Sequence, residues 1–178
     1  MKKRMPFLLL LLSCLVGKAF AQDTIYWSPG YKLQWTDFKG TPDNTVEYAA
    51  ITESGIAYSY SYTGTSFTFK VVAFFAKYKS WKTEKVNSNT LKHEQGHFDI
   101  TEIFAQKLKT ELKKLIPKRI TLENDMAILF KKILSEKEEM QKRYDAETQF
   151  GTNQVIQVKW LDKIHEQLVS SNAGEDMK

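Results

Sequence analysis

Apolar residues recur at helical spacing through the second half of the chain and alternate with polar ones through much of the first. Between Asn87 and Pro117, the residues Ile100, Phe104, Leu108, Leu112 and Leu115 share one arc at about 100° per residue, and His93 and His97 lie in that arc. Asn87, Ser88, Asn89 and Thr90 offer capping side chains before this stretch and Pro117 stops it. The pattern predicts one helix of about seven turns. A second stripe of Leu122, Met126, Leu129, Ile133, Met140 and Tyr144 predicts a helix from near Thr121 to Thr148, with Gly151 as its stop. A third helix is expected from Asn153 to Val169, followed by a loose polar tail over residues 170–178.

From Asp23 to Trp81 the chain is rich in aromatic and β-branched residues, with turns at Ser28-Pro29-Gly30 and Lys39-Gly40-Thr41-Pro42. Tyr58, Tyr60 and Tyr62 alternate with small polar residues, which places three rings on one side of a strand. Thr63-Gly64-Thr65 turns the chain, and a return strand runs from Phe67 through Val71 to Tyr78. The expected fold class is α+β: an N-terminal twisted antiparallel sheet followed by three α-helices, in a single domain over residues 22–169. The tyrosine row is expected to pack on the helices, the competing reading being a platform for carbohydrate or peptide.

The first residues change the meaning of the composition. Lys2, Lys3 and Arg4 precede an apolar run from Phe7 to Val16 and then Ala19-Phe20-Ala21, the layout of a secretory signal peptide over residues 1–21. The run is too short for a transmembrane span. Leu11-Leu12-Ser13-Cys14 also resembles a lipobox, so a lipid anchor at Cys14 is the alternative to cleavage after Ala21; Cys14 is the only cysteine. Removal of the leader takes four of the 26 basic residues and none of the 21 acidic ones, so the net charge falls from +5 to +1. A periplasmic or secreted protein with no basic field for nucleic acid is expected.

The chemistry concentrates in residues 93–102, HEQGHFDITE. Two histidines four apart on a helix present both imidazoles to one face, where zinc binds them, and the intervening Glu94 is free to act as general base on a water. Imidazoles turned toward a core need partners, since an unpaired buried polar group costs on the order of 1–3 kcal/mol. The bland alternative is a pair of hydrogen-bonded core histidines on an ordinary amphipathic helix.

A catalytic zinc takes a third protein ligand and keeps one position open. Asp99 and Glu102 project about 120 to 180° away from the histidines, which makes them supporting or surface groups. Glu147, within the apolar stripe of the second helix, is the expected third ligand. Asp145 is the nearest rival and His165 a weaker one. Tyr144, one turn before Glu147, is a candidate donor to the developing oxyanion.

Several separated motifs together carry a family resemblance. LQWTDFKG at residues 33–40 with Pro42, Ser80-Trp81, HEQGHFDITE, YDAET at residues 144–148, Gly151, and Gln157 with Trp160 resemble the bacterial family catalogued as domain of unknown function 922. The likeness covers about residues 32–168. Members are described as predicted secreted zinc-dependent proteases, which implies that Asp99, Glu102, Tyr144, Asp145 and Glu147 belong to the site or its support. One departure is Phe150, where many relatives carry a histidine.

The sequence thus points to an exported, zincin-like zinc metallopeptidase acting on a peptide or protein substrate. Two rival readings are a non-catalytic envelope protein that binds a partner through its aromatic sheet and a zinc hydrolase of a non-peptide amide.

Overall fold

The computed structural model describes residues 23–43, 45–63, 67–115 and 122–173. The leader with Cys14, Gly64 and Thr65 of the hairpin turn, Pro117, Thr121 and residues 174–178 lie outside the described residues.

Strand β1 (Thr24–Tyr26) pairs with β4 (Phe67–Ala76), which pairs in turn with β3 (Ser54–Tyr62), all antiparallel in the order β1-β4-β3. The period of two sorts the faces. Ile56, Ala73 and Phe75 are buried on one side, while Ala57, Ser59 and Lys70 are exposed on the other. A second, two-stranded sheet joins β2 (Ala50–Ile51) to β5 (Trp81–Lys82), with Ile51 opposite Trp81. The helices are α1 (Ser88–Leu115), α2 (Leu122–Thr148) and α3 (Gln154–Ala173), so the chain is α+β with the sheets preceding the helices.

Helix α1 departs from the one-sided pattern. His93, Glu94, Gln95 and Gly96 are buried in succession, as are Phe98, Asp99, Ile100 and Thr101. Four consecutive buried residues span all sides of a helix, so this part of α1 is covered all round. Phe75 of β4 meets Phe98 at 5.9 Å between ring centroids on the sheet side, and Tyr144 of α2 closes on the histidines from the other. Gly96 permits that approach, because a Cβ there would lie 2.3 Å from the Tyr144 hydroxyl.

The aromatic row meets the helices most closely at Tyr58. Tyr58 rests on Phe130 of α2 at 5.1 Å, but Tyr60 and Tyr62 are 42% and 44% exposed beside Phe67 and Phe69. The row therefore packs on the helices at Tyr58, and beyond it the Tyr60 hydroxyl still donates to Glu123 Oε1 of α2 at 3.2 Å while the rings stay partly open.

The LQWTDFKG stretch works as a brace. Its Leu33 amide donates to Gln95 Oε1 at 2.8 Å, and Asp37 Oδ2 accepts from the Gln34 amide and the Tyr31 hydroxyl. The Gly40 amide donates to the Ser80 carbonyl at 2.8 Å, while Ser80 Oγ accepts from the Glu53 amide at 2.9 Å. A Cβ on residue 40 would lie 2.9 Å from two backbone carbonyl oxygens. These contacts tie residues 46–54, which pass over α1, to the main sheet.

Candidate metal centre

The HExxH segment spans the second and third turns of α1, which Asn87 caps by accepting from the Asn89 and Thr90 amides at 2.9 and 3.1 Å. The spacing of four brings both imidazoles to one face, and α2 supplies the group that meets them. His93 Nε2 lies 3.1 Å from Asp145 Oδ1, His97 Nε2 lies 2.8 Å from the same oxygen, and the two Nε2 atoms are 3.1 Å apart. Ligands about 2.0–2.1 Å from a tetrahedral zinc stand about 3.3 Å from one another, so the three atoms are spaced for a shared ion.

The hydrogen-bond network decides which nitrogens carry protons. Gln141 Nε2 donates to the His97 carbonyl at 2.9 Å, which leaves its Oε1 facing His97 Nδ1. A carbonyl oxygen only accepts, so Nδ1 is the protonated nitrogen of His97. On the other ring, the Tyr144 hydroxyl donates to the His93 carbonyl at 3.3 Å and accepts from Gln157 Nε2. Gln157 Oε1 therefore faces His93 Nδ1, at 3.0 Å, and fixes the same tautomer there. With both Nδ1 protons so engaged, two imidazole lone pairs and one carboxylate oxygen converge within 3.1 Å. Such a cluster of electron-rich atoms is favourable around a cation, and neutral imidazoles with a carboxylate are a donor set that suits zinc.

The titration directions reflect the same crowding. A proton on the imidazoles can stand in for a cation here: burial raises the Asp145 pKa, but hydrogen bonds and charge from His93 and His97 in their protonated form outweigh it and bring the carboxyl down to about 2. Burial also pulls His97 down, and the Asp145 hydrogen bond with the charges of Glu94 and Asp145 reverses this to a net rise. Glu94 is 3% exposed, and its Oε2 has no hydrogen-bond partner among the described residues. A buried carboxylate oxygen without a partner is uncommon and costly, and it fits a group that works on a transient ligand.

A cleft of about 890 Å³ opens over these residues. Residues 46–54, including β2, form one wall, and Lys137, Glu138, Gln141 and Asp145 of α2 form the other. Burial lowers the Lys137 pKa, and its ammonium donates to the Ser54 carbonyl across the cleft at 3.3 Å.

The expected third ligand is corrected. Glu147 turns away from the histidines: its Oε2 accepts from Trp160 Nε1 at 2.8 Å, and its side chain is half exposed. Asp145 stands beside the histidines instead, with Oδ1 3.1 Å from His93 Nε2 and 2.8 Å from His97 Nε2. The centre of the stripe holds Tyr144, which stacks on His93 at 4.6 Å and is fully buried. Its hydroxyl is committed to the His93 carbonyl and Gln157, so it supports the imidazole and does not face the cleft. His165 is exposed on α3 and outside the cluster.

Asp99 and Glu102 face the sheet. Asp99 Oδ1 accepts from Trp27 Nε1 at 2.7 Å and from Gln95 Nε2, which pins the N-terminal strand region to α1. Burial raises the Glu102 pKa beside Ala73. Gln141 escaped the sequence reading, and Gln157 entered it only through a motif. Its signal was present, since Gln157 stands in the stripe it forms with Trp160, Ile164 and Leu168, all buried.

A family model described as bacterial protein of unknown function (DUF922) matches residues 33–151. Neither the curated proteins nor the solved structures contain a match to this chain.

Proposed function

The chain belongs to the bacterial family of unknown function DUF922, and from its site we propose that it is an exported, zincin-like zinc-dependent peptidase. One observation carries this reading: three lone-pair atoms of His93, His97 and Asp145 converge within 3.1 Å beside the unpartnered Oε2 of buried Glu94. In one class of zinc hydrolases two histidines and a carboxylate hold the metal with one position open.

His93 Nε2, His97 Nε2 and Asp145 Oδ1 would hold the ion. When bound, zinc polarises a carbonyl oxygen and makes water acidic enough to lose a proton near pH 7. Glu94 takes that proton as water adds to the peptide carbonyl and delivers it to the departing amine nitrogen. Gln157 and Gln141 keep the imidazoles in the tautomer that leaves Nε2 unprotonated. β2 is paired with β5 on one edge and, among the described residues, with no strand on the other, and the residues around it line the cleft. An extended substrate would pair along that free edge.

The test is metal analysis together with peptide hydrolysis. Purified protein is expected to hold one zinc ion per chain, and Glu94→Gln to keep the ion while losing hydrolysis. Protein without metal, or hydrolysis undiminished in Glu94→Gln, overturns the reading. The same residues would serve a non-peptide amide, which a panel of amide substrates distinguishes. The exposed Tyr60 and Tyr62, beside half-buried Phe67 and Phe69, favour the second reading, a non-catalytic envelope protein that binds through its aromatic hairpin.

A further inference from the structure

Helix α2 ends in a geometry that ties an aromatic ring to the metal-binding carboxylate. The Phe150 amide donates to the Asp145 carbonyl at 2.8 Å, and the Gln149 amide donates to the Ala146 carbonyl at 3.3 Å. That pair of bonds is the Schellman ending, in which the residue after the last helical position adopts a left-handed conformation and is usually glycine. Here Gln149 fills it with φ 50°, followed by Phe150 at φ 54° and Gly151 at φ 79°. Left-handed backbone is uncommon for any residue but glycine and stands out for a bulky aromatic.

In a Schellman ending the residue at the Phe150 position frequently packs an apolar side chain back on the helix, against the residue five or six before it. In this chain the residue five before is Asp145, a member of the triad. Phe150 instead remains 52% exposed and meets Tyr48, itself 41% exposed, at 5.2 Å between ring centroids. Tyr48 belongs to the opposite wall of the cleft, two residues before β2. The two rings make a continuous apolar face on the cleft lining, where the other wall residues include Glu47, Glu53, Glu138 and Lys137. The face adjoins the triad on both counts that matter: Phe150 is bonded through its amide to Asp145, and the next residue, Gly151, lies against the His93 ring.

We propose that Tyr48 and Phe150 form a specificity subsite that receives an aromatic or large aliphatic substrate side chain directly beside the scissile bond. The proposal rests on the peptidase reading and names the substrate class within it. A strained, exposed phenylalanine adds little to the core, but it is placed to strip water from an apolar side chain held next to the metal centre. Burial of a leucine- or phenylalanine-sized side chain against such a face corresponds to about 10- to 100-fold in binding.

The experiment uses zinc-loaded full-length protein and internally quenched peptides identical except at one position, occupied by Phe, Leu, Ala or Asp. Wild-type protein is expected to cleave beside Phe or Leu with kcat/KM at least about tenfold above Asp. Phe150→Asn keeps a residue that tolerates the left-handed backbone, and Tyr48→Ala removes the other ring. Each is expected to reduce the preference severalfold with zinc content unchanged, and Tyr48→Phe to preserve it. A second readout avoids turnover: Glu94→Gln protein binds the Phe peptide more tightly than the Asp peptide by fluorescence anisotropy, and Phe150→Asn in that background abolishes the difference. Cleavage without an apolar preference, or a preference that survives the loss of both rings, overturns this proposal alone. Absence of any peptide cleavage and of any peptide binding overturns the peptidase reading and this proposal with it.

Discussion

Gly151 lies against the imidazole of His93: a Cβ at residue 151 would stand 2.9 Å from His93 Cβ and 3.0 Å from Cγ. The residue also has φ 79°, so substitution meets backbone strain as well as a collision. Gly151→Ala is expected to cost about 1–2 kcal/mol from the left-handed backbone alone. Displacement of His93 should weaken zinc binding in addition. Thermal unfolding of metal-free protein measures the first effect and competition with a chromogenic chelator the second.

Asp145 and Glu147 make opposite predictions on one helix. Asp145 Oδ1 sits 2.8 Å from His97 Nε2, whereas Glu147 bonds to Trp160. Asp145→Asn is expected to lose stoichiometric zinc, while Glu147→Gln keeps it and loses no more than the stability of one hydrogen bond, about 1 kcal/mol. Metal content after gel filtration decides between them.

Gln141 and Gln157 act on the imidazoles from behind. Each presents Oε1 to an Nδ1 and so selects the tautomer with Nε2 free. Gln141→Leu and Gln157→Leu are each expected to lower zinc affinity by about 10- to 100-fold. Gln157→Leu should perturb the metal-free fold more, because Gln157 is 3% exposed and also donates to the Tyr144 hydroxyl. Isothermal titration with zinc, beside melting curves, separates the two effects.

Glu102 gives a pH prediction away from the metal. Burial on the sheet side raises its pKa, partly offset by Gln106 and the Ala73 amide. A raised folded value means the folded state favours the neutral acid. The support this gives is complete below the unfolded pKa of about 4.3 and is lost as pH rises through the folded value. Glu102→Gln keeps an acceptor oxygen without the charge. Its melting temperature is therefore expected to exceed that of wild type at pH 7, with the difference shrinking as pH falls toward 4.

Much of the fold was legible because its signals are local. The apolar stripes and caps located all three helices to within a few residues, and the alternating tyrosines with their turn located the β3–β4 hairpin. Exposure at Tyr60 and Tyr62 was not legible, since it depends on how the helices lie across the sheet.

What the sequence by itself determined is the pairing of His93 with His97 and the isolation of Glu94 between them, because residues four apart on one helix face the same way whatever surrounds them. Only the tertiary structure decided that Asp145 and not Glu147 joins them, that Gln141 and Gln157 hold their rings, and that Tyr144 lies beneath the site. A stripe on a lone helix reports which side is buried, but not how that helix is rotated or offset against its neighbour. A shift of two residues along α2 turns a side chain by about 200°, and the packing of α2 across α1 settles which carboxylate looks into the cleft.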